Sequence, residues 1–141
     1  GGFKPTVLLM ADQGWPPYAT TIVCTQQTIE RRPQAVAAFV KASMLGWKSY
    51  LRGNPQPANA LIKKDNPAMT DDKIGHAITK MKQVGLVDGG DAATHGIGVI
   101  TDARMKQTFD MLASHGLIDP NKVDVKKTYT TRFVKDLKVM P

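Results

Sequence analysis

The chain has 141 residues, of which 42% are hydrophobic, and both values are typical of a single globular domain with a core of ordinary size. Its formal charge of +7 is spread along the sequence without an RNA- or DNA-binding motif, so a solvated basic surface is favoured over a nucleic-acid partner. No apolar run approaches the roughly 20 residues that span a membrane, and a single cysteine excludes an internal disulfide and a cysteine-based zinc site.

The first predicted element is an apolar run from Thr6 to Ala11. It is too continuous for a half-exposed strand and too short for a free helix, so it predicts a buried strand. A second β-rich run covers residues 20–25 and contains Cys24, which we expect to be a small buried hydrophobe. Two buried strands need partners for their edges, so the pattern predicts either self-association or further strands outside this chain.

The connector between the two runs, Asp12 to Tyr18, carries a carboxylate, an amide and two large aromatic side chains. Gly14 permits unusual backbone angles, whereas Pro16 and Pro17 fix φ, so a tight two-residue hairpin is not expected. The pattern favours a crossing from one sheet or lobe to another, and such groups at strand ends are typical of a ligand cleft. The alternative is a surface loop whose aromatic side chains cap the core.

Helical periodicity and helix-end signals predict most of the remaining chain. Pro33 suits the first position of a long helix, and Arg52-Gly53-Asn54 predicts its left-handed stop. Thr70 and Thr101 precede apolar residues at three-and-four spacing, so each is a predicted N-cap. Residues 26–32 are predicted to form a short helix or a turn. The other predicted helices cover residues 33–51, 58–64, the segment after Thr70, 102–115, and a short final helix near 129–134. The core-facing stripe of the long helix comprises Val36, Phe39, Val40, Met44, Trp47, Tyr50 and Leu51.

A glycine-rich passage covers residues 88–98 but lacks the Gly-Lys-Ser or Gly-Lys-Thr end of a phosphate-binding loop, so no nucleotide site is expected. Thr94 and His95 are candidate ligand contacts, because such a loop can bring backbone N–H groups and a side chain to an anionic or heterocyclic ligand. A loop histidine without a role is the alternative for His95. The histidines at 76, 95 and 115 do not have metal-ligand spacing, so no metal site is predicted.

Several short motifs occur in an order and spacing that match one known family over nearly all of the chain. They are Val7-Leu8-Leu9-Met10-Ala11-Asp12, Trp15-Pro16-Pro17-Tyr18, Thr21-Ile22-Val23-Cys24, Glu30-Arg31-Arg32-Pro33-Gln34-Ala35-Val36, Phe39-Val40, Gly46-Trp47, Asn66-Pro67, Gly96-Ile97-Gly98, Asp102-Ala103-Arg104-Met105, Phe109, His115-Gly116-Leu117-Ile118 and Tyr129-Thr130-Thr131-Arg132-Phe133. The sequence resembles the C-terminal portion of ABC-transporter solute-binding proteins of the nitrate, sulfonate and thiamine-precursor type, within the thiamine-pyrimidine-synthase-like superfamily.

This resemblance implies an α/β protein with a partial type II periplasmic-binding-protein fold, rich in helices and lacking the N-terminal strands. Residues 1–11 would end one lobe, residues 12–19 would form the hinge crossing, and residues 20–141 would form the C-terminal part of the other lobe. In the cleft, Asp12 and Gln13 would hydrogen-bond the ligand and Trp15 and Tyr18 would stack on it. The expected ligand-binding residues are Asp12, Gln13, Trp15, Tyr18, Thr94 and His95.

The implied function is that of the solute-binding component of an ABC importer, which captures a small anionic or heterocyclic molecule in an interlobe cleft and performs no chemistry. The expected partners are the solute, an ABC permease and a second copy of the chain, with no cofactor, no metal and no nucleic acid. The expected location is periplasmic or extracytoplasmic, with the signal peptide outside this chain. One alternative is a pyrimidine-precursor synthase of the same superfamily, and another is a basic helical module that binds nucleic acid.

Overall fold

The computed structural model describes residues 5–141. Within these residues the chain is helical, with six α-helices and two short 3-10 helices. The α-helices are α1 (Gln26–Arg31), α2 (Pro33–Arg52), α3 (Gln56–Asp65), α4 (Asp71–Gln83), α5 (Asp91–His95) and α6 (Asp102–Ser114), and the 3-10 helices are Met10–Gln13 and Val125–Lys127. Residues 1–4, which belong to the predicted lobe end at residues 1–11, lie outside the described residues.

The predicted α/β class is wrong, because residues 5–141 contain no strand and therefore no partial type II periplasmic-binding-protein sheet. Parts of both β-rich runs are extended, with φ and ψ of −84° and 123° at Leu9 and −71° and 151° at Thr25. A strand also needs a neighbouring strand that shares its backbone hydrogen bonds, and neither run has one in the described chain. The first run instead ends in the 3-10 helix, where the Asp12 N–H donates to the Leu9 carbonyl at 3.1 Å.

Both β-rich runs are also exposed, although the sequence predicted that they would be buried. Val7 and Leu8 lie largely in solvent, and Val23 exposes 85% of its surface. Cys24 is exposed as well, which corrects the expectation of a buried cysteine. The prediction failed because an apolar run shows what a segment can bury and does not show whether a surface is present to cover it. Self-association of the chain stays a prediction.

The chain divides into two compact units. The first unit joins the residues up to Thr21 with Thr101–Thr130, and the second joins Ile22–Ile100 with Thr131–Pro141. Helix α6 and both 3-10 helices belong to the first unit, and α1 to α5 belong to the second. Whether residues 12–19 act as a hinge stays a prediction.

The apolar core lies in the second unit, where α2, α4, α5 and the turn after α5 contribute the buried side chains. Phe39 is exposed, because it lies about 100° around helix α2 from buried Val40. Trp47 is only partly covered, and its ring contacts that of Tyr50 edge-to-face with 6.2 Å between centroids. The predicted stripe on α2 is therefore only partly buried. The buried apolar residues are Val40, Met44, Leu51, Ile74, Ala92 and Ile97.

Two buried polar side chains of the second unit have hydrogen-bond partners. Arg52, at the end of α2, donates from Nη2 to Oδ2 of Asp88 at 2.6 Å. Tyr50 donates its hydroxyl hydrogen to Oδ1 of buried Asn59 at 2.9 Å. Because an unpaired polar group is costly in a protein interior, these bonds fix α2 against α3 and against the glycine-rich passage.

The predicted start of α2 at Pro33 is confirmed, and so are the predicted N-caps Thr70 and Thr101. The two threonine side chains accept backbone N–H bonds from the third residue of the following helix, as N-caps do. The left-handed stop after α2 is wrong, since Gly53 has a φ of −107°. The final helix near 129–134 is also wrong. Residues 132–137 form turns, because the local bonds of this segment close single turns without continuing into a helix.

The described residues contain one α-helix that the sequence did not predict, the short α5 within the glycine-rich passage. After it, Gly96 has a φ of +103°, and the Ile97 N–H donates to the Val139 carbonyl at 2.9 Å. Within the second unit, this bond attaches the C-terminal tail to the turn after α5. Within residues 5–141, no helix has both the length and the apolar character needed to cross a membrane.

Candidate functional site

A groove with a volume of about 510 Å³ lies within the first unit, which is an ordinary volume for a small-molecule site. One wall comes from the connector and the residues before it, and the other comes from the C-terminal end of α6 and the turn that follows it. The lining residues are Leu8, Leu9, Met10, Gln13, Gly14, Trp15, Met111, His115 and Leu117. Two of the six predicted ligand-binding residues, Gln13 and Trp15, therefore line this groove.

Trp15 is placed by the 3-10 helix Met10–Gln13 and by the backbone of Gly14. The Gly14 N–H donates to the Ala11 carbonyl at 3.1 Å, and the Trp15 N–H donates to the Met10 carbonyl at 3.0 Å. The second bond needs the left-handed conformation of Gly14, whose φ of +84° is one that a residue with a side chain adopts at a cost. The local sequence thus turns the chain so that Gln13 and Trp15 face the same groove.

Tyr18 fastens the connector to the start of α6 and does not line the groove. Its hydroxyl oxygen accepts the Thr101 N–H at 3.0 Å, and its ring lies under the Arg104 guanidinium, 4.3 Å from the ring centroid. Arg104 also donates from Nε to the Pro16 carbonyl at 2.6 Å. These contacts hold the connector against α6, which fixes the distance between the two walls of the groove.

The remaining predicted ligand contacts lie outside the groove. Asp12 is exposed on the 3-10 helix. Thr94 and His95 are exposed on α5 in the second unit, where Oγ1 of Thr94 lies 2.8 Å from Nδ1 of His95. Whether Asp12, Tyr18, Thr94 and His95 contact a ligand stays a prediction.

The sequence did not predict the second wall of the groove. Met111, His115 and Leu117 are about 100 residues from the connector in the sequence, and only folding brings the two segments together. The sequence did contain a signal for this turn, because His115 is the C-cap of α6 and is followed by Gly116, which reverses the chain with a φ of +69°. That turn directs Leu117 back towards the helix, where its N–H donates to the Leu112 carbonyl at 2.9 Å.

The start of α6 carries a titratable pair. Tyr129 donates its hydroxyl hydrogen to Oδ1 of Asp102 at 2.5 Å. This hydrogen bond raises the pKa of Tyr129 above 10.0, and burial and the negative charge of Asp102 act in the same direction. Asp102 lies in the first turn of α6, so the pair attaches the segment after the 3-10 helix Val125–Lys127 to this helix.

We expect Asp102→Asn to lower the pKa of Tyr129 towards its ordinary value, because the substitution removes the carboxylate that holds the phenolic hydrogen. A pH titration of the ultraviolet absorbance of tyrosinate, taken as the difference between each protein and its Tyr129→Phe form, measures this pKa. Since the folded-state pKa is raised, the pair stabilises the fold fully below pH about 10 and loses this effect as the pH rises through the raised pKa. An unchanged pKa in Asp102→Asn would contradict the assignment.

No group of three or more histidine, cysteine, aspartate or glutamate residues in the described part of the chain is arranged to hold a metal ion. Comparison of the chain with protein-family models, with curated proteins and with solved structures found no match. The candidate site is therefore defined by the groove alone.

Proposed function

We propose that this chain is part of the solute-binding component of an ABC importer and that it binds a small heterocyclic molecule in the groove of the first unit. In this proposal the chain performs no chemistry, works outside the cytoplasm and presents the solute to an ABC permease. The observation that carries the proposal is the groove of about 510 Å³ that Gln13 and Trp15 line. The order of short motifs along the chain, from the apolar run to Tyr129-Thr130-Thr131-Arg132-Phe133, supports the importer assignment.

The composition of the groove favours a planar, largely apolar solute. Leucine and methionine side chains form most of its lining, and the half-exposed indole of Trp15 offers a flat surface on which a ring can stack. Gln13 adds one amide, which can both donate and accept a hydrogen bond. A few polar groups among apolar walls are typical of sites that bind small organic molecules.

The charge of the lining helps to choose between the anionic and the heterocyclic solutes that the sequence left open. No lysine or arginine is among the lining residues, although the whole chain carries a formal charge of +7. An anion that entered this groove would lose water without gaining a cationic partner, which is unfavourable. The proposal therefore assigns an uncharged heterocycle to the groove in preference to nitrate or a sulfonate.

A thermal-shift and calorimetric screen of the chain tests this proposal. Uncharged heterocycles, namely pyrimidines and lumiflavin, which has the isoalloxazine ring system of the flavins, are compared with nitrate and methanesulfonate. We expect the heterocycles to raise the unfolding temperature and to give measurable binding heat, while the two anions do neither. If none of the uncharged heterocycles binds, the proposal is wrong.

A pair of tryptophan substitutions then tests the location of binding. Trp15→Ala should weaken binding of the best heterocycle by about tenfold or more, because loss of base-like stacking on an aromatic side chain costs on the order of 1–3 kcal/mol. Trp47→Ala is the matched control, since Trp15 exposes 38% and Trp47 41% of its surface and Trp47 lies on α2 in the second unit. Equal effects of the two substitutions would place binding elsewhere.

A further inference from the structure

We infer that His115 is a specificity-determining residue of the groove, whose Nε2 accepts a hydrogen bond from an N–H or O–H group of the solute. This inference rests on the proposed function and adds that the ligand carries a hydrogen-bond donor. Besides the indole N–H of Trp15, which can only donate, the groove has two polar side chains in its lining, Gln13 and His115, and they lie on different walls. His115 was not among the ligand-binding residues that the sequence predicted.

The position of the His115 ring follows from the end of α6. Its Nδ1 lies 2.9 Å from the Met111 carbonyl oxygen, and its own backbone N–H donates to the same carbonyl at 3.2 Å. Ser114 also donates its hydroxyl hydrogen to this carbonyl at 2.9 Å, with its Oγ 3.2 Å from Nδ1. The last turn of the helix thus holds the imidazole at the edge of the groove.

These contacts fix the tautomer of the neutral ring. A carbonyl oxygen only accepts hydrogen bonds, so a hydrogen bond between Nδ1 of His115 and the Met111 carbonyl requires the tautomer that has its hydrogen on Nδ1. In neutral imidazole the other nitrogen then has a lone pair and no hydrogen. Nε2 is therefore an acceptor, and it makes no hydrogen bond to another described residue.

An acceptor fixed beside an apolar groove selects among solutes of the same shape. A solute that presents a donor to Nε2 replaces the water that this nitrogen binds in the free protein, whereas a solute with a methyl group at that position leaves Nε2 without a partner. The Gln13 amide does not discriminate in this way, because it can offer either a donor or an acceptor. His115 is therefore the side chain of this lining that distinguishes the two solutes.

Indole and 1-methylindole are suitable probes, because both are uncharged and planar and only indole has an N–H donor. Binding to the full 141-residue chain is measured by saturation-transfer NMR and calorimetry. We expect indole to bind about three- to tenfold more tightly than 1-methylindole, as one hydrogen bond predicts. His115→Phe, which keeps a flat ring and removes the acceptor, should abolish this preference by weakening indole binding and leaving 1-methylindole binding unchanged.

His95→Phe is the matched control, because Nδ1 of His95 also faces the carbonyl oxygen four residues earlier, that of Asp91, at 3.3 Å, and His95 lies in the second unit. It should leave the preference intact. A second measurement needs no variant, since Nε2 of His115 in the wild-type chain should change its ¹⁵N chemical shift with indole and not with 1-methylindole. Equal binding of the two probes, or binding of neither, would overturn the inference. The proposed function is decided separately by the screen of uncharged heterocycles, so either result with the two indoles leaves it standing if another heterocycle binds in the groove.

Discussion

Leu51→Ala is expected to lower the free energy of unfolding by about 3 kcal/mol. Leu51 exposes only 1% of its surface and is the most completely buried large side chain in the described chain. The substitution removes buried methyl and methylene groups and leaves a cavity between α2 and its neighbours, so the transfer and cavity costs add. Urea denaturation followed by circular dichroism measures the change.

Leu45→Ala is the matched control for this experiment, because Leu45 lies on the same helix and exposes 46% of its surface. Both substitutions change leucine to alanine within α2, so they alter helix propensity equally and differ in burial. We expect Leu45→Ala to cost no more than about 1 kcal/mol. A similar loss of stability in both variants would show that Leu51 is not at the centre of the core.

Gly96→Ala is expected to lower the free energy of unfolding by about 3 kcal/mol, for a different physical reason. The φ of +103° and ψ of 154° at Gly96 belong to a region that only glycine adopts readily. A Cβ at this position would lie 3.0 Å from the Val139 backbone nitrogen and 3.2 Å from Lys138 backbone atoms. Because these contacts are to backbone, they relax only if the C-terminal tail moves away, which breaks the bond from the Ile97 N–H to the Val139 carbonyl.

Gly116→Ala separates the backbone strain from the clash. Gly116 has a φ of +69°, and no atom lies within 4 Å of a Cβ built on it, so alanine there should cost only about 1 kcal/mol. Denaturant unfolding gives both values, and hydrogen exchange of the Ile97 amide reports whether the tail has moved. If Gly96→Ala is no worse than Gly116→Ala and the Ile97 amide stays protected, the proposed clash with the tail is absent.

The sequence predicted the helices well where a cap or a proline marked their start. Thr70 and Thr101 present hydroxyl groups to backbone N–H groups three residues later, and this interaction involves only neighbouring residues. The predictions failed for the two β-rich runs, where they rested on apolar and β-branched composition, and for the segment near 129–134. A strand depends on hydrogen bonds to residues distant in the sequence, and the extended backbone at Leu9 and Thr25 has no such partner among residues 5–141.

The candidate site was predicted in part. Gln13 and Trp15 stand on one short turn, so their common orientation follows from local bonds to Ala11 and Met10. The opposite wall depends on α6 being packed beside the connector, which the Tyr18 ring and the Arg104 guanidinium secure. This contact could not be predicted from sequence spacing, because residues 22–100 of the second unit lie between the two segments in the sequence.

The sequence by itself determined the helix caps, the rigid turn that presents Trp15, and the scattered basic charge, because each depends on the type of a residue and its near neighbours. Only the tertiary structure decided that the β-rich runs stay unpaired, that Phe39 is exposed while Leu51 is buried, and that His115 faces the groove. These features depend on which distant surfaces meet, and burial and hydrogen-bond pairing are settled only when those surfaces are in contact.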